Sequence, residues 1–150
     1  MKVLTLKQPW ASLVANGYKV YEFRSWKTKY RGEILIHAGC GVDKEWLDKV
    51  KDYGIDFPKK KILCRVVLED CIEIDDEFNQ MVKTLDSNVY SHKDRTGYAW
   101  KLGKVTKLDI DNVSSSFQEL LNFLDGVSAM MAQVKEYEAE AAAEAASWSI

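Results

Sequence analysis

Lys19, Glu22 and Arg24 lie within six consecutive residues, and their types suit a shared ligand. Arginine offers a planar fork that matches a phosphate or a base edge, and lysine offers a compact positive charge. A glutamate can accept from an exocyclic amine such as the N4 group of cytosine. Trp10, Tyr21, Trp26 and Tyr30 stand close by in the chain and supply flat faces on which an unpaired base can stack. Basic residues interleaved with aromatics are the usual footprint of single-strand recognition. A plain structural alternative stands beside this one: Glu22 and Arg24 as an ordinary ion pair, with Trp10 and Trp26 in the core.

Strand parity complicates the picture. If Tyr18–Trp26 alternates as one strand, Glu22 and Arg24 point to one side, about 7 Å apart, and Lys19 to the other. Either the chain bends or bulges between Lys19 and Glu22, or only Glu22 and Arg24 meet.

The charge distribution favours an anionic partner for the same region. The 150 residues carry a formal net charge of −2, but residues 1–31 hold seven basic residues against one acidic, and residues 104–150 hold three basic against eight acidic. Phosphate responds to a local patch and not to the total. Length and a 47% hydrophobic composition suit one domain with a real core. No apolar run approaches the roughly 20 residues of a membrane span, and the first ten residues lack the apolar segment of a secretory signal. Cys40, Cys64 and Cys71 have no CxxC spacing, which argues against a disulfide framework and a zinc site. No P-loop or GxGxxG is present, so no cofactor or metal is expected, and a reduced, cytoplasmic setting is the default.

These side chains need elements to hold them. Residues 2–6 alternate as a short strand; Pro9 opens a helix through Asn16, and Gly17 caps it. A strand follows over Tyr18–Trp26, a break at Arg31-Gly32, and a buried strand over Glu33–Ala38. Asp43 caps a helix through about Tyr53, with Trp46, Leu47 and Val50 on one face, and Gly54 ends it. Ile62–Ile74 is the longest β-like stretch. Asp75 or Asp76 begins a helix over Phe78, Met81, Val82 and Leu85, and Asp86–Thr96 is a polar loop. Strands at Tyr98–Leu102 and Val105–Leu108 complete an α+β architecture, a small partly closed β-barrel with short helices at its ends.

Residues 111–150 differ in kind from the domain of residues 1–110. Ser116-Phe-Gln-Glu119 fits a capping box, Phe117 to Val134 place apolar residues at helical spacing, and the end is acidic and Ala-rich. A C-terminal helix is expected, docked on the barrel or serving as a homodimer or protein-interaction surface.

Four ordered motifs make the chain recognisable: Leu6-Lys-Gln8-Pro9-Trp10-Ala11-Ser12, Gly17-x-Lys19-x-x-Glu22-x-Arg24-Ser-Trp26, Tyr30-Arg31-Gly32 and Ile36-His37-Ala38. Together with Cys64-x-Val66-x-Leu68-x-Asp70-Cys71 and Tyr98-Ala-Trp100-x-Leu102, they resemble the ASCH domain, the activating-signal-cointegrator homology family, over roughly residues 2–108. The resemblance implies a PUA-like barrel with a cleft around the GxKxxExR segment, convergence of Lys19, Glu22 and Arg24, and binding of RNA or other nucleic acid. Some compact bacterial relatives remove the acetyl group of N4-acetylcytidine with a lysine, a threonine and a glutamate. Lys19 matches that lysine, Glu22 takes the place of the threonine, and Glu69, Glu73 and Glu77 are candidates for the third member by position. A further departure is Gly39-Cys40-Gly41, read as a flexible turn that widens the cleft or lets backbone approach the ligand, where relatives carry a lysine.

The expected ligand-binding set is therefore Trp10, Lys19, Glu22, Arg24, Trp26, Tyr30, Arg31 and His37, for single-stranded nucleic acid or a modified nucleoside. Lys19 and Glu22 would be catalytic only in the alternative, an amidohydrolase acting on N4-acylated cytidine-type nucleosides. His37 at a strand end has the simpler role of a hydrogen-bonded structural histidine. His92, Lys93 and Arg95 lie in a polar loop, either a lid with a second phosphate contact or merely solvated. Cys40 is an incidental thiol, and Lys59-Lys60-Lys61 a solvated basic run.

Overall fold

A computed structural model describes residues 2–111. Its strands are β1 (Val3–Gln8), β2 (Tyr21–Arg24), β3 (Gly32–Val42), β4 (Lys61–Glu73) and β5 (Tyr98–Asp111); its helices are α1 (Trp10–Ala15), α2 (Lys44–Val50) and α3 (Asp76–Val82). The five strands form one sheet in the order β1-β3-β4-β5-β2, parallel only between β1 and β3. Register shifts interrupt the β3–β4 pairing once and the β4–β5 pairing three times. Such bulges bend and twist long strands, and here the sheet curls into a half-barrel of an α+β fold. No helix among the described residues is long and apolar enough to cross a membrane.

Two cores flank the sheet. The larger packs α1 residues Ala11, Val14 and Ala15 against Ile34 and Ile36 of β3, Val66 and Leu68 of β4 and the fully buried Trp100 of β5. The second gathers Leu13, Val50, Phe78, Val82, Val89 and Tyr90 beneath α2, α3 and the loop after α3. Trp10 packs against both. Asp43 and Asp75 cap α2 and α3 by accepting from the N–H groups of Trp46 and Phe78.

Several element bounds differ from expectation, each for a tertiary reason. The strand expected over Tyr18–Trp26 shortens to Tyr21–Arg24, because the Leu13 carbonyl takes the N–H groups of both Tyr18 (2.9 Å) and Lys19 (3.1 Å) and ties that stretch to the end of α1. Gly17, at φ +79°, makes the turn, a conformation L-residues rarely adopt. The strand expected over Glu33–Ala38 runs on to Val42, so Gly39-Cys40-Gly41 is strand and not a flexible turn. Pairing with β1 extends it, with Gln8 opposite Val42, and the Thr5 and Lys7 side chains lie over the two glycines. The helix expected through Tyr53 ends at Val50, and the two strands expected after Tyr98 are one. The expected C-terminal helix, and any dimerisation through it, lies outside the described residues.

Candidate functional site

The Gln8-Pro9-Trp10-Ala11-Ser12 stretch is a positioning device. The Gln8 amide is fully buried: its oxygen accepts from Ser12 N–H (3.0 Å), and its nitrogen donates to Ser12 Oγ (2.8 Å) and the Pro58 carbonyl (2.7 Å). That lock fixes the start of α1 and hence Trp10. The far end of α1 holds Lys19 through Leu13, while β2 pairs Glu22 with Trp100 and Arg24 with Tyr98.

Lys19 and Glu22 meet despite their parity, because the chain between Gly17 and Val20 is not strand. Lys19 Nζ lies 2.6 Å from Glu22 Oε1, and the residues are only 5% and 8% exposed. Arg24 Nη2 donates to Glu22 Oε2 at 3.1 Å, and the Phe23 N–H to Oε1 at 3.2 Å. Burial alone would raise the Glu22 carboxyl, but the Lys19 ammonium, the Arg24 guanidinium and these hydrogen bonds together hold it below its ordinary value. Glu22 is thus an ionised carboxylate between two cations, and the cluster carries a net charge of about +1.

The ammonium of Lys19 also lies 5.4 Å from the Trp10 ring and 5.5 Å from the Phe23 ring. Above this floor opens a cleft of about 240 Å³, lined by Trp10, Lys19, Glu22, Phe23, Trp46, Val89, Tyr90, Ser91 and Arg95. Trp46 of α2 leans on Trp10 at 5.3 Å. The Tyr90 hydroxyl accepts from Val20 N–H (2.6 Å) and Tyr21 N–H (3.3 Å), which pins β2 to the loop after α3; burial pushes this phenol up, so it stays protonated.

Arg95 closes the opposite wall. Its guanidinium lies 4.0 Å from the Phe23 ring, and Nη2 donates to the Ser91 carbonyl at 2.8 Å. Asn79 clamps its backbone from both sides, at 3.0 and 3.1 Å. Burial lowers its pKa, and no carboxylate among the described residues pairs with it. Nη1 is buried without a hydrogen-bond partner there.

Of the expected set, Trp10, Lys19 and Glu22 line the cleft, and Arg24 joins them through the Glu22 carboxylate. Trp26 does not line it: it stays 37% exposed, packs edge-on against Trp100 at 5.6 Å, and receives the Arg24 guanidinium at 5.4 Å. Tyr30 donates from its hydroxyl to the Glu33 carbonyl and lies under the Lys2 ammonium. Arg31 faces Asp70 at 3.5 Å and the Thr28 and Tyr30 carbonyls. His37, buried in β3, meets Thr5 Oγ1 through Nδ1 at 3.1 Å, and burial lowers its pKa. Glu69, Glu73 and Glu77 are exposed and away from the cleft lining, with Glu69 facing Lys101. His92 meets the Leu85 carbonyl through Nε2. Cys40 is exposed on β3, and burial pushes Cys64 up to about 12.

Sequence reasoning did not reach Phe23, Trp46, Val89, Tyr90 or Ser91 as cleft residues, and it left Arg95 between a lid contact and solvent. The one available signal was the Lys93–Arg95 cluster in an otherwise polar loop.

Comparison with known proteins agrees with the motifs. A family model described as the ASCH domain matches residues 4–146. Activating signal cointegrator 1 of Mus musculus is 29% identical over a 100-residue alignment that covers 57% of this chain and 17% of that protein, so the chain spans less than a fifth of that relative. The crystal structure of ASCH from Zymomonas mobilis aligns with 74% of this chain and 72% of its own, at a TM-score of 0.49 and 16% identity. A mutant of the same protein aligns with 81% and 94%, at 0.47 and 15%. With the family match spanning nearly the whole sequence, the chain belongs to the ASCH domain family.

Proposed function

We propose that this ASCH domain binds single-stranded nucleic acid, RNA in the first place, by taking a base into the cleft beside Lys19 and Glu22. The observation that carries this reading is the buried Lys19–Glu22 pair, joined by the half-buried Arg24, at the foot of an aromatic-walled opening. Burying charges is costly unless they serve a ligand or each other, and with Arg24 beside the buried Lys19–Glu22 pair a net positive charge remains. Trp10 and Trp46 supply the stacking faces inside. Outside, Arg24 and the exposed Trp26 lead into Lys27 and Lys29, which suit the phosphates of the adjoining strand.

The same geometry favours binding over hydrolysis of an acylated cytidine. An ammonium donated at 2.6 Å to an ionised carboxylate has no free lone pair with which to attack or to take a proton. Titration of a labelled oligonucleotide by fluorescence anisotropy, repeated across salt concentrations, tests the proposal. Saturable, salt-sensitive binding that weakens roughly tenfold or more in Lys19→Ala and in Arg24→Ala is expected. Absence of binding, or wild-type affinity in both variants, would overturn it.

A further inference from the structure

The hydrogen-bond capacity left inside the cleft suits a particular kind of base edge. Glu22 has about four acceptor positions. Lys19 Nζ and the Phe23 N–H occupy Oε1, and Arg24 Nη2 takes one position on Oε2, so a single acceptor position is left for a ligand. On the facing wall, Arg95 is the one lining residue among those described with a buried nitrogen that has no partner, the donor Nη1. Arg24 also has an unpartnered nitrogen, Nε, but its side chain lies outside the cleft lining and is ion-paired with Glu22. Lys19 shares that same carboxylate, which leaves Arg95 as the cleft-lining cation without a carboxylate partner of its own among the described residues.

Arg95 is held ready for a ligand. The Phe23 ring supports its guanidinium plane, Ser91 fixes Nη2, and Asn79 fixes its backbone, so little freedom is lost when Nη1 donates. At about 240 Å³ the cleft is smaller than the roughly 300–1,000 Å³ of drug-sized pockets, so it has room for one base and not for a whole nucleotide. Both groups therefore act on the same ring.

We infer that Arg95 is a specificity-determining residue, donating through Nη1 to a ring carbonyl while Glu22 Oε2 accepts from a ring N–H of the same base. The ligand class is a base bearing a carbonyl beside an N–H, as in uracil, guanine and hypoxanthine, in preference to adenine, which presents an amine where these present the carbonyl. This inference rests on the proposed single-strand binding and extends it to which base enters.

Inosine and adenosine homopolymers of equal length provide the test, because the two bases are nearly the same size and differ in this edge. Anisotropy titrations with the full chain are expected to show the inosine strand bound about tenfold more tightly. Arg95→Ala should bring the two strands to equal affinity by weakening the inosine strand, with the salt slope unchanged, since a base contact releases no counterion. Arg95→Lys keeps the charge but not the fork, and should lose the preference in the same way; it serves as the reading variant if Arg95→Ala melts early. Equal weakening of both strands with a shallower salt slope would make Arg95 a phosphate contact and overturn the inference. So would a wild type that binds both strands equally, or a preference that survives both substitutions. If no strand binds at all, the proposed function fails before the question of base choice arises.

Discussion

Glu22 is the residue on which the site's electrostatics turn. A buried carboxylate is tolerated only when donors and cations surround it, and Glu22 has Lys19, Arg24 and the Phe23 N–H. Glu22→Gln keeps the shape but leaves two cations without their counter-charge, so a loss of about 3 kcal/mol at neutral pH is expected in urea unfolding. The pH dependence follows from the lowered carboxyl. Its contribution is fully present above the ordinary value of 4.5, and is lost as pH falls below that value through the folded-state one. The gap between wild type and Glu22→Gln should therefore hold steady above 4.5 and shrink on further acidification; a gap independent of pH would contradict it. Lys19, Glu22 and Arg24 were legible in the sequence because they sit within one short motif. Tyr90, Arg95 and Trp46 were not, because only the packing of α2 and the loop after α3 against β2 brings them to the same opening.

Among the elements, the misplaced boundaries cluster at glycines. Local propensity treats glycine as a break, yet Gly39 and Gly41 lie inside β3, where their missing side chains leave room for Thr5 and Lys7 of the parallel neighbour. Gly103 lies inside β5, and a methyl there would run into the Glu69 carboxyl. Neither fact is local, so neither could be read from the chain. Gly97 combines both demands just before β5. Its φ is +96°, a Cβ would fall 2.7 Å from the Arg24 carbonyl oxygen, and its own carbonyl accepts from Ile74 N–H. Gly54 shares the positive φ, at +73°, with open space around it. Gly54→Ala should thus cost only backbone strain, about 1 kcal/mol, and Gly97→Ala about 3 kcal/mol, because Arg24 backbone must also shift. Thermal unfolding of the two variants checks this, and equal losses would show that the close approach to Arg24 carries no energy.

For the molecule as a whole, the question is how a chain with net charge −2 attracts a polyanion. The surplus of acid lies late in the chain, whereas the segment that follows Arg24 is basic and exposed. Lys27 and Lys29 have no ion-pair partner among the described residues, in contrast to Lys19 and Arg24, whose charge Glu22 partly cancels. The division of labour this suggests is a cleft that chooses a base and an external lysine pair that holds the backbone. Each phosphate neutralised on a single strand contributes about 0.7 to the slope of log affinity against log salt. A Lys27→Ala/Lys29→Ala double variant should therefore bind oligonucleotides with a slope shallower by about 1.4, while its ratio of inosine to adenosine affinity stays at the wild-type value. Anisotropy titrations over a range of salt concentrations measure both quantities on the same samples. A slope that does not change would place the phosphates elsewhere, and a ratio that moves with the lysines would mean that base choice and backbone attraction are not separable in this fold.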